Sequence, residues 1–230
     1  DYQNEFRFHF PHEHRPAARP AKTTPLTPVM ANKNAEFTVI NGWERVEYIK
    51  PSKDFHPSLS FHFDEAFDVV ANEVKNVQNN VGLTEVNGFN RFEITGSDAN
   101  SFVDRMFCGN ITQKSGRVGL GYLLNDFGMI KSEATISNIP ASDRGPKRMW
   151  YGSAAASEFH DMDWLKQHLK DDEDVEIKSL TNDQTILLLA GPKARDVLSK
   201  CSREDWSKEV FPWLVSFMFY LSICLGAFFV

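Results

Sequence analysis

Polar and apolar residues alternate through residues 116–136, where the sequence reads GRVGLGYLLNDFGMIKSEATI. Apolar side chains recur at every second position from Val118 to Leu124, which is the period of a β-strand. The turn-forming residues Asn125–Gly128 follow, and the next strand divides its side chains between two faces. Ile130, Ser132, Ala134 and Ile136 are predicted to point one way, and Met129, Lys131, Glu133 and Thr135 the other. The pattern predicts a β-hairpin with one carboxylate, that of Glu133, on the polar face of its second strand.

A helical period replaces the alternation in two other stretches. In residues 63–79, Asp64 is placed to cap a helix whose apolar stripe is predicted to lie in the core. That stripe consists of Phe67, Val70, Ala71, Val74 and Val77. A second helix is predicted over residues 158–169, with apolar residues Phe159, Met162, Leu165 and Leu169. Its polar residues His160, Asp161 and Asp163 are predicted to lie on a solvated face and not in a catalytic site.

Two segments repeat the same strand–glycine–helix pattern. Arg91–Gly96 and Ile186–Gly191 each read as a strand that ends in glycine, and a helix follows each one. Gly96 matches Gly191, Ala99 matches Ala194, and Val103 matches Leu198. An internal duplication of this kind predicts a pseudo-symmetric domain of the α+β class. Short strands are also expected at residues 37–40 and 149–152.

Composition excludes some classes of function. The chain has 230 residues, a net charge of −6 and a pI near 5.7, which argues against a nucleic-acid partner. Its three cysteines lie far apart, and the spacing of His9, His12 and His14 fits no zinc framework, so no metal site is expected. The acidic run 170–174 is predicted to be solvated, and Trp43 is predicted to be a buried anchor and not a ligand contact.

Both ends of the chain are unusual. Five prolines between Pro11 and Pro28 forbid a long helix and predict an extended connector. The N-terminus has neither the basic nor the apolar region of a signal peptide and reads as the interior of a longer protein. Residues 211–230 form an apolar run without charge that is long enough for one membrane span. We favour a broken C-terminus of a fragment over a genuine anchor, because nothing polar follows the run.

The motifs resemble those of a known family. The runs GRV, LLNDxGxI and SEATI of the hairpin, GWER at 42–45 and NVGL at 80–83 resemble the folate-binding, aminomethyltransferase-like domain of dimethylglycine and sarcosine dehydrogenases. The T-protein of the glycine cleavage system shares this domain. It usually has two adjacent acidic residues where this chain has Ser132 and Glu133, and a tyrosine where this chain has Leu120. Both differences favour the dehydrogenase branch.

The resemblance implies a division of the chain. Residues 1–41 correspond to the end of the linker domain that joins the flavin and folate domains. Residues 42–213 correspond to an incomplete folate-binding domain of duplicated ferredoxin-like units, and residues 214–230 are an apolar tail of uncertain status.

The resemblance also implies a function. In the family, a flavin domain oxidises an N-methylated amine, and tetrahydrofolate on this domain takes up the one-carbon unit. Glu133 is the candidate catalytic carboxylate, and Leu120, Tyr122 and Asn125 are candidates for the wall around the pterin. FAD belongs to a flavin domain that this segment lacks, so the segment alone is expected to oxidise nothing and to bind folate poorly.

Partners and compartment follow from the same resemblance. The expected partners are the amine-derived substrate and the flavin domain of the parent chain, with a membrane only if the tail is genuine. The expected compartment is the cytoplasm, or the mitochondrial matrix in a eukaryote. Two alternatives stay open: a free-standing folate-dependent aminomethyltransferase or demethylase, and a non-catalytic membrane-tethered binding module.

Overall fold

The structure is a computed structural model that describes residues 2–14, 17–109, 111, 114–141 and 145–216. The described chain forms two compact units. Unit 1 comprises residues 2–87 and 185–196, and unit 2 comprises residues 88–184 and 197–216. The helices are α1 (Thr27–Ala31), α2 (Glu65–Asn79), α3 (Ala99–Met106), α4 (Glu158–Gln167) and α5 (Ala194–Cys201). The strands are β1 (Ala35–Ile40), β2 (Trp43–Ile49), β3 (Gly82–Glu85), β4 (Phe89–Thr95), β5 (Phe107–Cys108), β6 (Val118–Leu124), β7 (Ile130–Ile139), β8 (Arg148–Ala154), β9 (Glu176–Ser179) and β10 (Leu187–Ala190).

Unit 2 is built on a six-stranded sheet in the order β5-β6-β7-β8-β4-β9, in which every neighbouring pair is antiparallel. One face of this sheet, here called the core face, packs against α3 and α4. Its hydrophobic cluster joins strand residues such as Phe92 and Tyr151 to Phe102 of α3 and Leu165 of α4, all of which are almost fully buried. Phe92 and Tyr151 are cross-strand partners, and their rings stack with centroids 5.1 Å apart. Helices on one face of an antiparallel sheet confirm the predicted α+β class.

The predicted hairpin is present as β6 and β7. In β7, Ser132, Ala134 and Ile136 are buried on the core face, whereas Glu133 and Thr135 are exposed on the opposite face. The alternation that the sequence predicts for these residues is therefore correct. Its exception is Ile130, which is 66% exposed, because the register shifts between Leu123 and Leu124 at the start of β7.

The duplicated strand–helix units are also confirmed. β4 runs through Gly96 into α3, and β10 runs through Gly191 into α5. Both glycines have a positive φ, and a Cβ on either would collide with a backbone carbonyl oxygen. That oxygen belongs to Asp174 for Gly96, at 2.0 Å, and to Asn80 for Gly191, at 2.5 Å. Each glycine thus lets its turn pack against a neighbouring segment of its own unit.

The acidic run 170–174 is exposed at Lys170, Asp171 and Asp172, as predicted, but Glu173 and Asp174 make structural contacts that correct the prediction of a merely solvated run. Arg105 Nη2 of α3 lies 2.6 Å from both carboxylate oxygens of Glu173. Asp174 Oδ2 accepts hydrogen bonds from Ser97 N (2.9 Å) and Ser97 Oγ (2.8 Å). Asp174 lies beside the N-terminal end of α3, where unpaired backbone N–H groups favour carboxylates, whereas Glu173 pairs with a basic residue in the last turn of the same helix.

Unit 1 contains the connector and the β1–β2 hairpin. No long helix occurs among the described residues of the connector, in agreement with its prolines, and α1 starts next to Pro28. Arg19 donates from Nε to Glu44 Oε1 (3.0 Å), and Ala21 N donates to the same oxygen (2.8 Å). The hydrogen bond from Arg19 holds the pKa of the buried Glu44 below its usual value. Trp43 is 6% exposed, which confirms the prediction of a buried anchor.

Helix α2 differs from its prediction in one respect. Asp64 caps it through a hydrogen bond from Ala66 N to Oδ1 (2.9 Å), as the sequence indicates. Its apolar stripe, however, is not a core: Phe67 is 51% exposed, Val70 38% and Val74 48%. The stripe stays exposed because the sheets in the described part of unit 1 are the two-stranded β1-β2 and β10-β3, which are too small to cover it.

The start of the predicted apolar tail pairs with the sheet of unit 2. Val118 N donates to Leu214 O (3.0 Å), and Ser216 N donates to Gly116 O (2.8 Å). The prediction that residues 214–230 do not pack with the domain is therefore wrong for Leu214–Ser216. The backbone N–H and C=O groups of residues 116–118, at the start of β6, form hydrogen bonds with this segment. The other residues of that prediction, 217–230, lie outside the described residues. Within the described part of the chain, no helix is long and apolar enough to cross a membrane.

Candidate functional site

Three of the four predicted site residues lie on the outer face of the six-stranded sheet, the face opposite α3 and α4. Tyr122 on β6 is the direct cross-strand partner of Glu133 on β7, and Leu120 is the partner of Thr135. Residues directly opposite on one face have Cβ atoms about 5 Å apart, so the phenol and the carboxylate are neighbours. The structure therefore brings Leu120, Tyr122 and Glu133 together.

The accessibility of these side chains suits contact with a small molecule. Glu133 is exposed, Leu120 is 51% exposed and Tyr122 is half-buried. An exposed carboxylate keeps its oxygens open to an incoming donor, and the neighbouring leucine and tyrosine supply apolar and aromatic surface. The prediction that Glu133 faces a cleft of its domain stays a prediction.

Asn125 is placed differently from the other three. Its Oδ1 accepts hydrogen bonds from Phe127 N (3.0 Å) and Met129 N (2.9 Å) inside the hairpin turn. An asparagine side chain that closes its own turn is a common device. The structure thus places Asn125 where it fixes the β6–β7 connection, and not on the outer face beside Tyr122 and Glu133.

A second carboxylate, that of Asp161, lies on the core face of the same sheet, although the sequence predicted a solvated position for it. Asp161 of α4 has no exposed surface. Its Oδ2 is close to three hydroxyl groups: Ser132 Oγ at 3.0 Å, Tyr151 Oη at 2.5 Å and Ser153 Oγ at 2.5 Å. Its Oδ1 lies 3.0 Å from His160 Nδ1. The prediction of a solvated face is therefore wrong for Asp161, because the first turn of α4 lies directly on β7 and β8.

The hydroxyl groups keep this buried acid ionised. Burial alone would raise the pKa of Asp161, but the hydrogen bonds from Ser153, Tyr151, His160 and Ser132 stabilise the carboxylate and leave its pKa below the usual value. Burial and the bond to Asp161 raise the pKa of Tyr151, which therefore stays a phenol donor. The group extends to β4, since Asn90 Oδ1 accepts from Ser153 N (2.8 Å).

This arrangement is suited to stabilising the fold and not to catalysis. A carboxylate with no solvent access and four donors cannot take a proton from a substrate. It ties α4 to three adjacent strands, one of which carries Glu133 directly after Ser132. The sequence did not indicate this role, because the helical period placed Asp161 among the polar residues of a solvated face. The available signal was the run of hydroxyl residues, Ser132, Tyr151 and Ser153, on what would otherwise be apolar strand faces.

Two of the N-terminal histidines, for which no metal site was predicted, share a carboxylate, that of Glu47. His12 Nδ1 contacts Glu47 Oε1, and His14 Nε2 lies 3.0 Å from Glu47 Oε2, all within unit 1. In the described ranges, no group of three or more His, Cys, Asp or Glu residues could hold a metal ion. A cleft of about 480 Å³ adjoins this pair, with Tyr48, Phe61 and Phe67 among its walls.

Comparisons with known proteins agree with this fold. The family model of the GCVT N-terminal domain matches residues 26–224. Human mitochondrial dimethylglycine dehydrogenase is 31% identical over 207 residues, which cover 89% of this chain and 23% of that protein. The sarcosine oxidase subunit alpha of Rhizobium meliloti (strain 1021) is 32% identical over 151 residues, which cover 64% of this chain and 15% of that protein. The chain thus spans about a quarter or less of the length of these relatives.

A solved structure extends the comparison to the fold. The aminomethyltransferase T of the glycine cleavage system from Bartonella henselae superposes with a TM-score of 0.65 at 18% identity. The match covers 86% of this chain and 47% of that one, and it concerns the fold alone. Together with the family match over most of its length, these findings show that the chain belongs to the GCVT N-terminal domain family, with relatives among the dimethylglycine dehydrogenases and sarcosine oxidases.

Proposed function

We propose that this chain is the folate-binding part of a flavoenzyme that oxidises an N-methylated amine, and that it delivers the one-carbon unit to tetrahydrofolate. The observation that carries the proposal is the pairing of Glu133 with Tyr122 on the exposed outer face, in a chain of this family. In the proposal, FAD belongs to a separate flavin domain of the parent protein. The names of the relatives supply the substrate class, which is a small methylated amine. In a eukaryote, the proposed compartment is the mitochondrial matrix.

The reaction balances without an added oxidant at this site. The iminium carbon that amine oxidation produces forms bonds to two folate nitrogens, and its bond to the amine nitrogen breaks. The two folate N–H groups lose their protons. One proton goes to the departing amine and the other to a base. We assign that base to Glu133, because it is the exposed carboxylate next to the candidate ring-binding residues, whereas Asp161 is sealed in the core.

The other residues have supporting roles in this proposal. Tyr122 and Leu120 provide aromatic and apolar surface beside Glu133 for the pterin ring. Asn125 contributes indirectly, since its side chain closes the turn that sets the register of Tyr122 against Glu133. The Asp161 group holds β7 from the opposite face.

The first test is binding of a reduced folate to a full-length flavoenzyme that carries this segment, because the segment alone is expected to bind folate poorly. Isothermal titration calorimetry with 5-formyltetrahydrofolate should show one saturable site. Absence of any heat of binding at millimolar ligand would contradict the proposed function.

The second test separates the two half-reactions in a full-length flavoenzyme that carries this segment. Glu133→Gln should leave amine oxidation with an artificial electron acceptor unchanged. It should lower methylenetetrahydrofolate formation by about 10²-fold or more, as expected for loss of a general base. Glu176→Gln is the matched control, because Glu176 is also exposed on β9 of the same sheet. Equal loss of both activities in Glu133→Gln would point to misfolding, and loss of neither would remove Glu133 from the mechanism.

A further inference from the structure

Unit 1 contains a cleft that the proposed function does not use. Its volume of about 480 Å³ lies within the range of small-molecule sites. Three phenylalanine side chains around it are exposed: Phe61 by 67%, Phe63 by 84% and Phe67 by 51%. Single exposed apolar residues are normal in proteins, but several aromatic rings around one concave surface indicate a binding surface.

The aromatic walls of the cleft come from separate parts of unit 1. Phe63 and Phe67 lie four residues apart at the start of α2, with ring centroids 4.4 Å apart. Phe61 packs against Phe10 of the connector, with ring centroids 4.7 Å apart. Tyr48 of β2 also lines the cleft and is almost fully buried. A ligand in the cleft would therefore meet aromatic surface from more than one segment.

The charge of the cleft is negative. Among the described residues that line it, Glu47 and Asp64 are acidic and none is a lysine or an arginine. Burial raises the pKa of Tyr48 to about 12, and the negative charges of neighbouring carboxylates, those of Glu47 and Asp64 among them, contribute to the rise. Aromatic faces attract cations as carboxylates do, so the walls and the charge of the cleft favour the same kind of ligand.

The hydrogen bonds of these carboxylates narrow the choice of cation. His12 Nδ1 contacts Glu47 Oε1, and His14 Nε2 lies 3.0 Å from Glu47 Oε2. Asp64 Oδ1 accepts from Ala66 N (2.9 Å). A primary ammonium group needs free acceptors for its three N–H donors. An ammonium group that is fully methylated needs none, because its charge is carried beneath apolar methyl groups that pack against aromatic rings.

We propose that this cleft binds a small N-methylated ammonium compound, with its methyl groups against Phe61, Phe63 and Phe67 and its charge near Glu47. The inference does not rest on the proposed function. The cleft is lined by residues of unit 1, whereas Glu133 and the residues beside it belong to unit 2.

The test compares choline with 3,3-dimethylbutan-1-ol, a neutral alcohol of the same shape in which carbon replaces the charged nitrogen. Each is titrated into the ¹⁵N-labelled 230-residue chain at matched ionic strength and at pH 8, where an ordinary histidine is neutral. Choline should shift the backbone amides of residues 61–70 and bind at least about tenfold more tightly than the alcohol, because only choline gains from the rings and the carboxylates as a cation.

Two results of this comparison would overturn the inference. Equal affinity for choline and the alcohol would show a merely apolar groove, of the kind that another segment of a parent protein could cover. Absence of choline-induced shifts in residues 61–70 would show that the cleft is not a site for such a cation. Neither result depends on a substitution, so neither depends on whether a variant folds.

Substitutions then separate the ring from the charge. Phe67→Leu and Glu47→Gln should each weaken choline binding by about threefold or more and leave the affinity for the alcohol nearly unchanged, since both keep the size of the side chain close to that of the original. Phe159→Leu is the matched control, because Phe159 is an exposed phenylalanine on α4 of unit 2, and it should bind choline as the wild type does.

Thermal melts would confirm that the variants are folded. Wild-type affinity for choline in both Phe67→Leu and Glu47→Gln would overturn the assignment of the cleft. Failure of the folate titration would contradict the proposed function and leave this inference standing, because the two tests use different ligands.

Discussion

The two faces of the six-stranded sheet each have a carboxylate, and the two carboxylates are in opposite environments. Asp161 on the core side is fully buried and has four hydrogen-bond partners. Glu133 on the outer side follows Ser132 in the same strand and is exposed. One acid is therefore held where no substrate can reach it, and the other is presented to solvent.

The difference shows how the alternation of side chains along a strand separates structural residues on one face from candidate reactive residues on the other. Ser132 turns inward to a fixed anion, and its neighbour Glu133 necessarily turns outward. A strand held from one side can present a reactive group on the other with little freedom to move. A pair of mid-strand glycines shows the same division: Gly121 is needed by the core, and Gly152 leaves space above the outer face.

The largest expected effect comes from removing the buried acid. Asp161→Ala leaves the hydroxyl groups of Ser132, Tyr151 and Ser153 buried without their acceptor. We expect the free energy of unfolding to fall by about 3–5 kcal/mol, measured by urea denaturation. The control Asp163→Ala, on an exposed position of the same helix, should change it by less than about 0.5 kcal/mol. Similar losses in both variants would show that the hydroxyl group is not what stabilises this face.

The next effect distinguishes the two glycines. Gly121→Val should lower the free energy of unfolding by about 1–3 kcal/mol, because its side chain would overlap Ile111 and Phe107. Gly152→Val should leave the stability unchanged or slightly higher, as the space above it is open. Thermal melts of the two variants against the wild type would measure the difference. Destabilisation of Gly152→Val to the same extent would mean that the outer face is packed.

Much of the described fold is predictable from the sequence because its signals are local. The hairpin follows from alternation and from the turn residues after Leu124, and the cap of α2 follows from Asp64. The repeated strand–glycine–helix pattern predicts β4–α3 and β10–α5, and both are present. Each of these features is determined within about fifteen residues of sequence.

The predictions that were wrong concern contacts between residues far apart in the sequence. The apolar stripe of α2 has the same period as a core helix, but only the partner surface decides whether Phe67 and Val74 are buried. Asp161 looks like any polar helix residue until the fold places it over Ser132 and Tyr151. Leu214–Ser216 pair with Gly116–Val118 across about a hundred residues of chain, which no local pattern indicates.

The smallest effect is a change in how stability depends on pH, and it tests whether the buried acid is charged. The folded pKa of Asp161 lies below the ordinary value of 3.8, so its contribution to stability is complete above that value and is lost as the pH falls through the folded pKa. Glu44, Glu173 and Asp174 also have lowered pKa values, but they are present in every variant and cancel in a difference. The difference in unfolding free energy between the wild type and Asp161→Asn should therefore be constant from pH 7 to about 5 and shrink below about pH 4. A single proton limits the slope to about 1.4 kcal/mol per pH unit.

Urea titrations at constant ionic strength would measure this pH dependence, with Asp163→Asn expected to follow the wild type throughout. A difference that stays constant down to pH 3 would mean that folding does not lower the pKa of Asp161, and a difference that grows as the pH falls from 7 would mean that Asp161 is protonated in the folded protein. Either outcome would contradict the comparison of a buried charged acid with an exposed one.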